Sequence, residues 1–441
     1  MTKPAENPER TPKKTGLGKI LYFIAVALLL VALLVSVWMF LQEKLSRQTA
    51  GEETAQTTLK PQPTQPMPTL PEQSPTVPDV PEEPDVPEEP DAPEEPNVPE
   101  LPDQQVQPTK PDIRLKAYQA PVSLLSQAAR DYLAAENVRD VTEFVSRYWE
   151  IESRSDLGRP VELTYTVYAL PKGVTVENAV FRLFENNGGY TQYTPGDGGR
   201  SVFIYNLRTG TEYRYSVSIT LSDGTKLILP GSFKTAAGPR LMHIDGLVNV
   251  RDLGGWVTAD GKTVKQGLLY RGSEMDGLVE KDFKLTDQGL EQMKALGIKT
   301  DFDLRHEGAD VLEGEHHFYD AIQYEHAFTD EGQEAVRKLF TDLADPAHYP
   351  AYLHCTYGAD RTGTMCYLLL GLLGVSDADL KRDYELTALY YGYVSPAQMD
   401  AFVAKIAALP GENTREKVEH FLASAGVTAD QMEQIRQIFL G

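Results

Sequence analysis

Two cysteines among 441 residues leave no room for a disulfide framework. They stand at 355 and 366, and if the second lies on a regular helix, the pair falls beyond the ~7 Å Cα separation a bridge allows. Basic residues are also scarce: 42 Lys and Arg against 64 Asp and Glu give a formal net charge of −22. Phosphate backbones are bound by basic surfaces, so a nucleic-acid partner is excluded. Charge is missing altogether from residues 20–41, "ILYFIAVALLLVALLVSVWMFL". That run is long enough to span the ~30 Å hydrocarbon layer and too long for a buried core helix. Lys3, Arg10, Lys13, Lys14 and Lys19 precede it, and only Lys44 and Arg47 follow closely. The excess of basic residues predicts a cytoplasmic tail (1–19), a signal-anchor helix (20–41) and extracellular C-terminal domains on a single-pass cell-membrane protein. The rival is a cleaved signal peptide, whose apolar region is normally ~7–15 residues; "QTAGEE" is a poor cleavage site for one.

Beyond the span, residues 79–102 repeat with period six: "DVPEEP", "DVPEEP", "DAPEEP", "NVPELP". Proline fixes φ and removes backbone donors, and the like charges between prolines extend the chain. Such a stretch buries too little apolar surface to offset its ordering entropy. Residues 42–112 are therefore expected to form a disordered stalk, the repeat alone reaching roughly 75 Å as polyproline II. The PxxP spacing at Pro81 and Pro84 leaves a peptide-recognition ligand as the alternative.

Residues 113–154 show helical spacing. Leu125, Ala128, Ala129, Tyr132 and Leu133 form one stripe, and Val141, Phe144, Val145, Tyr148 and Trp149 a second. The segment carries no chemistry, and packing explains it. Residues 155–237 switch to period two: "VELTYTV" sends Val161, Leu163, Tyr165 and Val167 to one face. Further short strands follow between Gly, Asn and Asp turns, the pattern of a β-sandwich. "NLRTGTEYRYSV" resembles the fibronectin type III family, in which Leu207 and Tyr213 would form the tyrosine corner. That resemblance implies a module without an active site, serving either to bind a protein partner or as a spacer.

Residues 238–441 alternate strand-like and helix-like runs, as an α/β domain does. "GIKTDFDLR" and "PAYLHC" read as buried strands, and "TGTMCYLLLGLLGV" as an apolar helix. Between the last two lies "HCTYGADR". A tight loop entering a helix N-terminus points several amide N–H groups into one concavity, with the positive end of the helix dipole behind it. A thiol at its centre is activated by those dipoles and by neighbouring cations. Arg361 adds a planar fork matched to two phosphate oxygens. Gly358 allows close backbone approach. A soft nucleophile, a ring of N–H donors and one guanidinium together specify phosphoryl transfer to sulfur. Cys366, inside the apolar helix, reads as a packed thiol.

These residues resemble the cysteine-dependent phosphatases, marked by His-Cys, five residues, then Arg and Thr or Ser. "HCTYGADRTG" fits. More narrowly, the chain is similar to the bacterial tyrosine phosphatases whose domain begins Asn-x-Arg-Asp-Leu-Gly-Gly, here "NVRDLGG" (249–255), followed by "GLLYRGSEM", "DFDLRHE" and the C-terminal tail. The resemblance implies an α/β fold with a parallel-rich sheet, and hydrolysis of phosphotyrosine-bearing proteins or peptides through a phosphocysteine, without metal or cofactor. Cys355 would be the nucleophile, with Arg361 and the amides of Thr356, Tyr357, Gly358, Ala359, Asp360 and Arg361 holding the phosphoryl oxygens. Thr362 would hydrogen-bond the thiolate, and His354 would fix the loop and favour thiolate. Asp360 is favoured as general acid, with Asp330 and Asp345 as alternatives.

Relatives that hydrolyse phosphoinositides usually carry Lys where this chain has Ala359. From 242 onward there are 18 basic and 33 acidic residues, which disfavours polyanionic substrates. An inositol-phosphate phosphatase and a catalytically idle surface phospho-ligand-binding or adhesion protein remain the competing readings. His316, His317 and His326 in "EGEHHFYDAIQYEH" would suit a metal, but a polar connection is the default. Arg251 and Asp252 read as structural supports.

Overall fold

The computed structural model describes residues 110–441 apart from 137, 149–156, 186–187 and 321–322. The apolar run at 20–41, the proline-rich repeat and Trp149 lie outside the described residues. Among the described residues no helix is long and apolar enough to cross a membrane.

Alternating apolar residues build a sandwich of two antiparallel sheets. β1 (Asp112–Leu115), β2 (Val161–Ala169) and β5 (Ser201–Ile204) form one sheet, with β2 central. The other runs β4 (Tyr190–Tyr193), β3 (Val176–Phe184), β6 (Glu212–Leu221), β7 (Lys226–Lys234). Val161, Leu163 and Tyr165 pack against Phe181, Leu183, Val217 and Ile219 in a core of their own. At the turn into β6 the Arg208 amide donates to Tyr213 Oη at 2.8 Å, with Leu207 buried beside it.

The segment expected to be a separate helical piece at 113–154 is divided differently. Its first residues complete β1, which pairs with β2, so the sandwich begins before 155. The chain then leaves the sandwich for α1 (Gln127–Ala134) and α2 (Val141–Ser146), capped by the side chains of Ser126 and Asp140. The inner faces of the sandwich already cover each other, so the helical stripe needs another apolar surface. Ala128, Ala129, Tyr132, Val141, Phe144 and Val145 join the core of the C-terminal domain.

That domain holds a six-stranded sheet in the order β12 (Glu315–Phe318), β11 (Thr300–Asp303), β13 (Ala351–His354), β10 (Leu269–Gly272), β9 (Arg251–Asp252), β8 (Arg240–Leu241). The first four are mutually parallel, and β9 and β8 add antiparallel edges. Parallel strands are covered on both faces and read as continuous apolar runs. β13 shows why: Ala351 and Leu353 face the larger core, Tyr352 the smaller. α3 (Asp287–Ala295) covers the smaller side through Met293. On the other side lie α4 (Asp330–Leu343), α5 (Asp360–Leu373), α6 (Asp377–Glu385), α7 (Thr387–Tyr391), α8 (Pro396–Ala407), α9 (Thr414–Ser424) and α10 (Ala429–Leu440). α5 is buried continuously from Thr362 to Leu373, as a central apolar helix must be. The parallel order gathers the C-terminal ends of β10, β11 and β13 at one rim, where α/β proteins place their sites.

Candidate active site

Residues 355–359 link the end of β13 to the first turn of α5. Four consecutive carbonyls of this loop are engaged from outside it. Cys355 O faces His354 Nδ1 at 3.1 Å, and Thr356 O accepts from the Glu274 amide at 2.9 Å. Tyr357 O accepts from Tyr391 Oη at 2.7 Å and Asn249 Nδ2 at 3.1 Å. Gly358 O accepts from Asn249 Nδ2 at 3.1 Å and from an Arg271 guanidinium nitrogen at 2.8 Å. With the carbonyls turned outward, the amide protons of residues 356–361 have no partner among the described residues. Buried backbone donors are almost always satisfied, so a cradle of amides facing one concavity is built for an anion. Gly358 has φ +62°, and a Cβ there would lie 2.2 Å from the Gly272 carbonyl oxygen.

The supports form a buried ionic cluster. Asp383 on α6 accepts from Arg251 at 3.3 Å and Arg271 at 2.6 Å. Burial pushes its carboxyl up, and the two guanidiniums outweigh burial and hold it below its usual range. Arg251 also reaches Asn249 and Thr387 Oγ1. Within "NVRDLGG", Asn249 thus holds the loop carbonyls and Arg251 holds Asp383. The Arg271 guanidinium lies within electrostatic reach of Cys355.

His354 is fully buried, with Nε2 at 2.9 Å from Asp301 Oδ1 and 3.8 Å from Asp303 Oδ2. Burial opposes its charging, but the two aspartates outweigh burial and raise its pKa to about 9. An imidazolium therefore sits directly behind the nucleophile at neutral pH. Arg361 is half-buried at the mouth, its fork held by Leu304 O at 3.1 Å and Thr356 Oγ1 at 3.3 Å. Asp360 opens α5, and Tyr324 Oη donates to its Oδ1 at 2.5 Å. Tyr384 Oη lies 2.6 Å from Tyr324 Oη and accepts from the Ser395 amide at 3.1 Å.

Residues 242–441 match the tyrosine phosphatase family. Those 200 residues are a tyrosine phosphatase family domain. A Cupriavidus necator protein assigned by name as a tyrosine-protein phosphatase is 30% identical over 175 residues, 32% of this chain and 61% of that one. A tyrosine-protein phosphatase of Nostoc commune is 29% identical over 135 residues, 24% of this chain and 46% of that one. The chain thus spans between about half and three-fifths of the length of these relatives. A structure of the core catalytic domain of the PP-IP phosphatase SIW14 from S. cerevisiae, in complex with citrate, overlaps 34% of this chain and 84% of that one at 14% identity. Its TM-score is 0.25, at which the likeness carries no argument.

Within this phosphatase domain, the structure brings His354, Cys355, Asp360 and Arg361 together around the amide cradle. The Thr362 hydroxyl is fully buried and has no hydrogen-bond partner among the described residues. Asp345 caps the turn leading into β13, at the opposite end of that strand from Cys355. Asp330 is exposed in the first turn of α4. Cys366 is sealed in the core, and burial pushes its thiol up to about 11. Tyr357 is exposed on the rim, edge-on to Phe283 and Tyr391 with ring centroids 5.4 and 5.6 Å away. The three histidines disperse: His316 meets Asp301 and Asp303, His317 meets Glu315, and His326 is exposed.

Tyr324, Asn249, Arg271, Asp301 and Asp383 are functional supports whose roles sequence reading did not assign. Asn249, Arg271 and Asp301 lie inside the quoted motifs, whose residues were visible but whose purpose was not. Asp383 and Tyr324 sit in stretches with no local signal.

Proposed function

We propose that the domain hydrolyses aryl phosphate monoesters, phosphotyrosine in proteins or peptides, through a phosphocysteine. The outward rotation of four successive loop carbonyls above Cys355 is the observation that carries this reading. The amides and Arg361 take the three non-bridging oxygens while the Cys355 sulfur attacks phosphorus. As the S–P bond forms, the P–O bond to the tyrosyl oxygen breaks, and that oxygen takes a proton from Asp360. Water then attacks phosphorus with Asp360 as base, the S–P bond breaks, and inorganic phosphate leaves. Donors placed where charge develops supply most of the rate enhancement in such sites. The aromatic rim of Tyr357, Phe283 and Tyr391 supports an aryl ester, and Ala359 and the acidic balance speak against inositol polyphosphates.

The same proposal places the domain outside the cell on a single membrane span, supported by the 22 uncharged residues and the basic residues before them. The sandwich would then be a fibronectin type III-like module, supported by its strand pairing and the Tyr213 corner. The deciding experiment is acid-quenched turnover of a labelled phosphotyrosine peptide by the full chain. Label should be trapped on residue 355 of the wild type and absent from Cys355→Ser, which should show no vanadate-sensitive hydrolysis. Faster turnover of inositol polyphosphates than of the peptide would transfer the proposal to that substrate class. Equal rates for wild type and Cys355→Ser would leave a binding protein.

A further inference from the structure

Away from the thiol, three side chains with metal-ligating atoms converge at the far edge of the sheet. Glu315 and His317 stand on the edge strand β12, and His348 ends the 3₁₀ turn Pro346–His348 that leads into β13. Residues 315 and 317 share one face of their strand. The ligating atoms of all three lie within 4.8 Å of one another. His348 Nδ1 faces the Asp342 carbonyl oxygen at 2.8 Å. A carbonyl only accepts, so this nitrogen carries the proton. His317 Nδ1 faces Asp342 Oδ2 at 3.4 Å, and Tyr319 Oη holds that carboxylate at 2.9 Å. Phe302 wedges edge-on against both rings, with centroids 5.8 and 5.7 Å away.

One residue, Asp342, therefore turns both imidazoles so that Nε2 is the outward nitrogen of each. Both Nε2 atoms face the same Glu315 oxygen, Oε2, at 3.1 and 3.6 Å. His348, protonated on Nδ1, turns a lone pair towards that oxygen, and His317 meets it either as an Nε2–H donor or with a lone pair of its own. A single metal ion would accept all three donor atoms at once. A tetrahedral zinc with bonds of ~2.0–2.1 Å sets neighbouring ligand atoms ~3.3–3.4 Å apart, and the observed pair of distances brackets that value. Histidines oriented through their far nitrogens by a carboxylate and a carbonyl are the arrangement that positions metal ligands.

We propose that Glu315, His317 and His348 bind one divalent transition-metal ion of the zinc class, with water completing the shell. The ion ties the edge strand β12 to the turn that feeds the catalytic strand β13, and so acts as a staple on the sheet rather than in the reaction. His348 precedes β13 and Cys355 follows it, so the two sites lie at opposite ends of one strand.

The test uses untagged full chain in detergent, stripped with a chelator and titrated with zinc chloride against a chromophoric competitor. One equivalent per chain should bind below micromolar concentration. His317→Ala and His348→Ala should each abolish that binding, Asp342→Asn should weaken it ~10–100-fold, and the exposed His326→Ala should leave it unchanged. Melting of each metal-free variant establishes that it is folded, and zinc should raise the melting temperature of the wild type but not of His348→Ala. No binding by the folded wild type, or binding that survives both histidine substitutions, would overturn the proposal.

Discussion

At the scale of the residue, His354 joins catalysis to stability. Its imidazole is buried, and Asp301 and Asp303 raise its pKa from 6.5 to about 9. A histidine raised on folding contributes its full stabilisation below the unfolded value and loses it as pH rises through the folded value. Urea unfolding of the full chain should therefore show stability falling between about pH 6.5 and 9, by up to about 3 kcal/mol. Asp301→Asn should flatten that decline; a slope equal to the wild type's would remove the aspartate from the account. Asp360 gives a second residue-level expectation. If it protonates the leaving oxygen, Asp360→Asn should lower kcat by about 10²–10⁴ with phenyl phosphate. The loss should shrink with a dinitrophenyl ester, whose leaving group needs no proton. A uniform loss across leaving groups would make Asp360 a positioning residue, and Asp330→Asn would become the next variant to measure.

At the scale of the element, the loop's shape depends on one position without a side chain. Gly358 combines φ +62° with a 2.2 Å approach to the Gly272 carbonyl. Gly358→Ala meets backbone rather than a movable side chain, adding a clash to the ~1–3 kcal/mol of an unfavourable dihedral. The outward carbonyls at 357 and 358 should be released from Asn249 and Arg271 and the cradle lost. Activity should fall at least about 100-fold, with a lower melting temperature; near-normal kcat would show that the loop tolerates another path. This loop was legible in the sequence because nucleophile, glycine and arginine are contiguous and the apolar helix after them is unmistakable. Its clamp was not. Asp383, through Arg271, and Tyr391, directly, act on the loop from more than twenty residues downstream, and nothing in "KRDYELTALYYGY" distinguishes a clamp from an ordinary half-polar helix. At Thr362 the motif names a hydroxyl donor, and that hydroxyl has no partner among the described residues.

At the scale of the whole molecule, the helices between the first two strands of the sandwich belong energetically to the phosphatase domain. Tyr132 Oη donates to Glu385 Oε2 at 2.5 Å, and Arg382 donates to Ala135 O at 3.3 Å. Val141, Phe144 and Val145 share a core with Leu386, Ala388 and Leu389 of the segment around α7. That helix carries Thr387, which touches Arg251, and ends in Tyr391, which holds the loop carbonyl of Tyr357. A chain of packed elements thus runs from the inserted helices to the phosphate cradle. Periodicity revealed these helices, but an amphipathic stripe does not say which surface it covers, so their destination could be read only from three dimensions. The consequence can be measured through activity. Phe144 is buried between Tyr132 and Tyr148, with ring centroids 5.7 and 5.6 Å away, and its truncation to alanine should cost ~3–5 kcal/mol. The urea midpoint for loss of p-nitrophenyl phosphate hydrolysis should drop in Phe144→Ala. It should drop less in Val217→Ala, whose side chain lies in the separate sandwich core. The opposite ranking would mean that the sandwich, not the inserted helices, supports the catalytic loop.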